Sequence, residues 1–507
     1  MMISEWLEHD KDISIVDLAG KLEQFVRQAA EEGECLHELE QKTLGSVLLL
    51  GRRCVDLFLT LQGNGDVGET VQTQDERTLK RSDQPAERRI RTVFGEHSFF
   101  AYAYSQGAKR KIELRPIDAR MSLPEGEYSY LLQEFSQYFC IEEAFQKAQQ
   151  GIEKVLGQKL PVDSLERINR QLGEQAETFF EELPKPPAKE EGELLVVTAD
   201  GKGVPMIRED AESLPAFNAS KRRGNRRVAT LASVYSVDRY RRSADEVVAA
   251  LFREERRSKD KDRPRPCHKH VVARFAREYQ EGDETFVVSG THEAFAWAGE
   301  QVSQRRRRKQ PLLRLCDGQE DYPETSNVYL DEKHHDVIDI LDILHVAIYV
   351  WSAAKAFCGG NQEQAEAFAR ERLLRILQGQ VAGVILGLRQ MTTRRKLKGQ
   401  ALKDVTTACN YLEKNAYRMR YDEYLQEGYP IATGVIEGAC RHLVKDRMER
   451  SGMRWRLPGA ESMLMLRAIH VSNHWDTFQA QRLQADVERL HPHRHLIQSY
   501  TPETIAI

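Results

Sequence analysis

Two stretches of the chain end an apolar run in Asp-Gly: Leu194-Leu195-Val196-Val197-Thr198-Ala199-Asp200-Gly201 and Pro311-Leu312-Leu313-Arg314-Leu315-Cys316-Asp317-Gly318. Mostly apolar, partly β-branched runs closed by a glycine turn read as buried strands, and this spacing puts each Asp where its strand ends. If the two strands lie side by side and parallel, their carboxylates meet. Like charges at close range repel, so a chain that builds this pair holds a cation between them. The doublet therefore asks for a sheet with neighbouring parallel strands and for a divalent metal.

The order of elements around the doublet gives the fold class. Leu194 to Ala199 and Arg227 to Val237 read as the first two strands, and the third lies at His270 to Phe275 or Thr285 to Val288. His292 to Arg306 is helical, Leu312 to Cys316 is a fourth strand, and Val337 to Leu341 is a fifth, followed by a helix through Phe357. Three strands, a helix, a strand, then a strand and helix is the order of a ribonuclease-H-like α/β domain with a mixed sheet, in which the first and fourth strands are neighbours. Residues 190–358 form its first part. Residues 359–430, helical and rich in Gln, Arg and Lys, read as an insertion. Residues 431–480 complete the core, with two helical patterns separated at Leu457-Pro458-Gly459, and 481–507 form a tail.

Upstream, residues 1–80 are helical in pattern, with Gly63 to Glu87 as a polar linker or loop. Residues 88–185 hold a small β element, with aromatic runs between Arg91 and Arg115, and then two amphipathic helices, Ile141 to Leu156 and Ser164 to Phe179, with Asp163 or Ser164 as N-cap of the second. The pair is a possible helix-turn-helix, although any helical hairpin shares that pattern. Clustered prolines cannot continue a helix, so Pro184-Lys185-Pro186-Pro187 marks a boundary.

Composition narrows the class. With 507 residues and a charged fraction of 30%, the chain reads as an ordinary soluble protein of several domains. The net charge of −4 hides local basic clusters: Lys221-Arg222-Arg223-Gly224-Asn225-Arg226-Arg227, Arg305 to Lys309, and Arg394-Arg395-Lys396. A phosphate backbone responds to such clusters, and a solvated charged face is the plainer account of any one of them. Eight cysteines without a CxxC pair signal neither a zinc ribbon nor a disulfide framework, and Cys267-His268-Lys269-His270 is too tightly spaced for tetrahedral zinc. The N-terminus lacks signal-peptide character and no apolar stretch is long enough to span a bilayer, so the expected location is cytoplasmic, without membrane association.

Two carboxylates leave a two-metal phosphodiester site one ligand short. Glu437, in Thr433-Gly434-Val435-Ile436-Glu437-Gly438-Ala439-Cys440-Arg441, supplies a third from a helix. Helical spacing sets Glu437, Arg441, Val444, Lys445 and Met448 on one face, with metal at one end and phosphate along it. An exposed i,i+4 Glu–Arg pair fits the same letters. Asp342 and His345 are either metal ligands or neighbours of the site, or else Asp342 N-caps the helix from Ile343. Arg454-Trp455 either stacks a displaced base or leaves Trp455 in the core.

The phrases TADGKGVPM (198–206), GTHEAFAWAGEQV (290–302), PLLRLCDGQ (311–319), ILDILHVAIYVW (340–351) and ATGVIEGACRHLVKDRMERSGMRW (432–455) resemble the DDE transposases of bacterial insertion sequences, specifically the ISKra-four family, over roughly residues 88–480. The resemblance implies a ribonuclease-H-like domain with a helical insertion ahead of the Glu and a triad of Asp200, Asp317 and Glu437 holding Mg2+, with Mn2+ as a possible substitute. It implies binding to the terminal inverted repeats and target DNA, assembly as a homo-oligomer on DNA, and a bacterial, nucleoid-associated location. Related mutator-type transposases keep a histidine near the position of His345. In this reading Arg222, Arg223, Arg226, Arg227, Arg441, Lys445, Arg454 and Trp455 contact DNA, while residues 1–185 recognise the ends. The rival expectations are a ribonuclease-H-like nuclease without strand transfer and a transposase-derived DNA-binding regulator.

Overall fold

The computed structural model describes residues 14–107, 109–212, 225–253, 263–330, 336–450 and 452–502. Contacts divide the chain into two units, Met1–Asn169 with Asp476–Ile507, and Arg170–Trp475. The division falls inside the Val162–Glu181 helix and not at the proline run, because that helix buries Leu165 and Ile168 before the division and Leu172, Ala176 and Phe180 after it. The same helix starts at Val162, so Asp163 sits in its first turn and is not the cap.

In the first unit, Ser14 caps the Ile15–Glu32 helix by accepting from the Asp17 N–H, and Gly33, in the left-handed region, ends it before the Leu36–Thr60 helix. The segment expected to be a polar loop instead carries strands β1 (Thr70–Gln72) and β2 (Thr78–Arg81). These join β5 (Tyr104–Ser105) and β6 (Ile112–Leu114) in a four-stranded sheet, while β3 (Ala86–Thr92) and β4 (Gly95–Ala101) form a separate hairpin. The alternation of β1 and β2 is too short to register as a pattern, and the sheet is completed only by long-range pairing. The expected tail is part of this unit: after the Trp475–Leu490 helix, Ile497 joins Leu79, Tyr104 and Leu114 in one core, and the Tyr500 hydroxyl donates to the Gln62 carbonyl at 2.9 Å.

The second unit is built on a five-stranded sheet, ordered β13-β12-β7-β8-β9. Its strands are β7 (Leu194–Pro205), β8 (Arg226–Val237), β9 (Cys267–Arg274), β12 (Leu312–Cys316) and β13 (Val337–Leu341). β10 (Arg277–Glu281) and β11 (Glu284–Val288) form a hairpin apart from it, so Thr285 to Val288 is not the third strand. Pairing is antiparallel in β7–β8–β9 and parallel in β7–β12–β13. β7 continues through Gly201 to Pro205, so Asp200 does not end its strand. The antiparallel partner β8 holds the backbone past that glycine, while the parallel pairing with β12 stops short of it.

Both faces of the sheet are covered, which is why its parallel strands read as continuous apolar runs. Leu195, Val197 and Ala199 pack with Ala232, Val272 and the Gly290–Arg305 helix. On the other face Leu194 and Val196 pack with Leu313, Leu315 and Ile340, against the Ile343–Cys358 helix and the insertion helices Gln362–Leu377, Val381–Arg394 and Gly399–Lys414. The final part holds the Gly434–Ala439 helix, a wide π turn over Cys440–Lys445 and the Leu457–Val471 helix. The two expected helical stretches are present, and Leu457-Pro458-Gly459 opens the second of them, since proline is at home in a first helical turn. Among the described residues no helix is long and apolar enough to cross a membrane.

Candidate active site

Register brings the aspartates together. Leu312 pairs with Leu195, Leu313 with Val196 and Arg314 with Val197, and carrying that register forward sets Asp317 beside Asp200. On the other side Cys316 pairs with Leu341, which sets Asp317 level with Asp342. Side chains alternate along a strand, so Asp200 follows Leu194 and Val196, Asp317 follows Leu313 and Leu315, and Asp342 follows Ile340 onto one face, the face covered by the insertion.

The three carboxylates have different surroundings. Asp200 is half-buried; its Oδ1 accepts from the Gly201 N–H at 2.7 Å and its Oδ2 from the Cys440 thiol at 3.2 Å. Asp317, also half-buried, accepts the Gln319 N–H at 3.0 Å in a local turn. Asp342 is 0% exposed. Its Oδ1 accepts from the Leu344 N–H at 3.0 Å and the Thr433 N–H at 3.2 Å, and its Oδ2 from the Thr433 hydroxyl at 2.6 Å. Asp342 is thus the N-cap of its own helix and also the anchor of the segment that leads into the Glu437 helix.

Among the described residues, one group of three potential metal-ligating side chains converges: Asp342, His345 and Glu437, with one atom from each within 4.8 Å of the others. His345 Nε2 lies 3.9 Å from Asp342 Oδ2. Charge links this group to the aspartates of the sheet. The Asp317 carboxyl is pushed up from its ordinary value chiefly by burial and further by Asp200, while the Gln319 N–H and His345 pull it down. Glu437 is pushed up by burial, then by Asp342 and Asp200, with His345 opposing. Burial and the Asp200 charge also push up the Cys440 thiol, keeping it a neutral donor to that carboxylate.

Glu437, Arg441 and Lys445 lie along one row, but Val444 and Met448 do not share their face. Those two are claimed by the core, and the turn widens to π spacing over Cys440–Lys445, so the simple 3.6 count fails there. Arg441 is 71% exposed, with Nε 3.6 Å from Asp446 Oδ1; Lys445 and Arg454 are exposed as well. Trp455 is buried: its indole Nε1 donates to the Met448 carbonyl, its backbone pairs with Pro205 and Ile207, and the Arg447 guanidinium lies over its ring. It is a core residue and not a platform for a base. Arg226, half exposed, is tied to Glu449 at 2.6 Å and to the Gly203 carbonyl, whereas Arg227 is buried. Arg222 and Arg223 lie outside the described residues.

The Cys267-His268-Lys269-His270 cluster is divided by the strand. His270 is buried, with Nδ1 2.9 Å from Gln301 Oε1 and Nε2 3.1 Å from His474 Nε2, and burial holds its imidazole down to about 3. Sequence reasoning missed Cys440, Thr433 and Arg418. Cys440 follows Glu437 by three residues and was accessible to helical spacing, whereas Thr433 and Arg418 meet the site only through the tertiary fold.

No family model matches the chain, and no curated protein is similar to it. Among solved structures it is similar to the Drosophila P element transposase strand transfer complex, at 11% identity and a TM-score of 0.24, over 70% of this chain and 80% of that one. That degree of likeness bears on neither the fold family nor the function.

Proposed function

We propose that this chain is a DNA transposase with a ribonuclease-H-like catalytic domain, binding the terminal inverted repeats of its element and carrying out metal-dependent strand cleavage and strand transfer. What supports the reading is the strand register that sets Asp317 beside Asp200, both partly open to solvent, next to a Glu437 that feels the Asp200 charge and clusters with Asp342 and His345. Three antiparallel strands extended by two parallel ones, with helices inserted ahead of the Glu-bearing helix, support the domain assignment.

The donor set fits a hard divalent cation such as Mg2+, with Mn2+ as a substitute. Asp200, Asp317 and Glu437 offer carboxylate oxygens; burial, with a smaller push from neighbouring carboxylates, raises Asp317 and Glu437, and a cation held there would favour their ionised forms. Such ions supply Lewis-acid polarisation of the phosphodiester and lower the pKa of attacking water. Asp200, Asp317 and Glu437 would be the residues that hold the ions. Asp342, with its oxygens engaged by Leu344 and Thr433, serves as the internal anchor that places Glu437. Water would break a P–O3′ bond at the element end and free a 3′-hydroxyl, which would then attack a target phosphodiester and displace that strand's own 3′-hydroxyl, while Arg441, Lys445 and Arg454 hold backbone phosphate without reading bases.

Glu437→Gln in the full chain tests this reading. Cleavage of a plasmid carrying the element ends should vanish in Mg2+, while gel-shift affinity for end DNA stays within a few-fold. Retained cleavage would remove Glu437 from the site. Cleavage by the unsubstituted protein without joined products would leave a nuclease.

A further inference from the structure

We infer that Arg418, in the turn that closes the helical insertion, is a positioning residue for Asp317: its guanidinium grips the Asp317 backbone, so the insertion sets how tightly the site holds its metal. This rests on the reading of Asp317 as a metal ligand.

β12 ends at Cys316, whose carbonyl still receives the Asp342 N–H at 3.0 Å. The next carbonyl, that of Asp317, lies beyond the strand, and Arg418 Nη2 donates to it at 2.8 Å. The guanidinium is itself fixed. Arg418 is 1% exposed; its Nη2 and Nε donate to Asn415 Oδ1 at 2.9 and 3.2 Å, and Nη1 lies 3.8 Å from Asp339 Oδ1. A grip on the Asp317 carbonyl from one side and the Gln319 N–H on its carboxylate from the other leave that side chain little freedom.

Arg418 acts as part of a clamp. From the same end of the insertion, the Tyr421 hydroxyl donates to the Leu341 carbonyl at 2.8 Å and the Tyr424 hydroxyl to the Asp339 carbonyl at 3.0 Å. Those tyrosines hold β13, whereas Arg418 alone of the three takes hold of the residue that carries the acid. Lysine has the charge but not the planar fork needed to reach the Asp317 carbonyl, Asn415 and Asp339 at once.

Mn2+ binding to the full chain, followed by electron paramagnetic resonance without DNA, separates positioning from simple support. Arg418→Lys should weaken Mn2+ binding by about tenfold or more, the usual effect of losing a partner that orients a ligand, while Tyr421→Phe stays within about twofold. Thermal melts of the two metal-free variants measure the structural loss that each shares. If Arg418→Lys binds Mn2+ like the unsubstituted chain, or if Tyr421→Phe is weakened equally, the assignment is overturned. Should Arg418→Lys not fold, Asn415→Ala, which keeps the guanidinium but frees its side-chain acceptor, is read against the same thresholds. Asp317→Asn is the separate control: unchanged Mn2+ binding there defeats the metal-ligand reading itself, whatever Arg418 does.

Discussion

Asp342 and Asp317 are alternative second acids on sequence, and their surroundings give them opposite energetics. Asp342 joins two helix starts through three hydrogen bonds in a site without solvent. Asp342→Ala removes a cap and strands the Thr433 donors, so it should cost about 2–4 kcal/mol in urea denaturation, more than a cap alone. Asp317 and Glu437 behave in the contrary way. Burial raises their folded-state pKa values, whereas in the unfolded chain both titrate near about 4. Between those limits the folded state holds more protons, and the metal-free protein therefore loses stability as pH rises through the window. Asp317→Asn and Glu437→Gln abolish that loss, so each should melt above the unsubstituted protein in EDTA at neutral pH. Added Mg2+ should reverse the order, because only the intact site gains from binding.

At the scale of elements, the insertion packs directly against the strand ends that carry the acids. Gly318 lies under Tyr411, and a Cβ there would come within 2.6 Å of the phenolic oxygen. The Tyr411 ring cannot easily withdraw, since it stacks on Tyr349 at 3.7 Å between centroids. Gly318→Ala should destabilise by about 1–3 kcal/mol, and Tyr411→Leu in the same chain should recover part of that, both read from denaturation midpoints. The helix of Glu437 makes a different prediction. Arg441 and Lys445 are exposed along its outer row. If they contact phosphate, replacing each with alanine should lower the slope of log affinity against log salt by about one, with little change in preference among DNA sequences. An unchanged slope would make the row an ordinary solvated face.

Across the whole molecule, the C-terminal segment returns to the first unit. Ile497 enters its core, Tyr500 bonds to Gln62 and Gly65, and His491 Nε2 lies 2.9 Å from the Leu123 carbonyl. Ending the chain after Trp475 should therefore cost β1, β2, β5 and β6 their hydrogen-exchange protection while the sheet of the second unit keeps its own. Equal protection in both chains would make the return dispensable. End recognition by residues 1–185, proposed from their helical pairs, is accordingly best tested in the intact chain, where that core is complete.

The sequence by itself determined four of the five sheet strands, most of the helices and the helical insertion, because alternation and helical spacing are local consequences of which face an element buries, whereas the third strand has two candidates on sequence that only the structure resolves. It also offered Asp200 and Asp317 at two strand ends and Glu437 on a helix as candidate acids. It did not determine that β7 runs on past Gly201, because antiparallel pairing with β8 overrides the local turn signal. It favoured Asp317 over Asp342 from strand order, but only the tertiary structure surrounds Asp342 with Thr433 and Leu344 and leaves Asp317 half-open. Trp455 and Arg227 looked available for DNA on sequence, and the tertiary fold buries both. Periodicity records which face is buried but not what covers it, and contacts such as Arg418 on Asp317 join residues that share no local pattern.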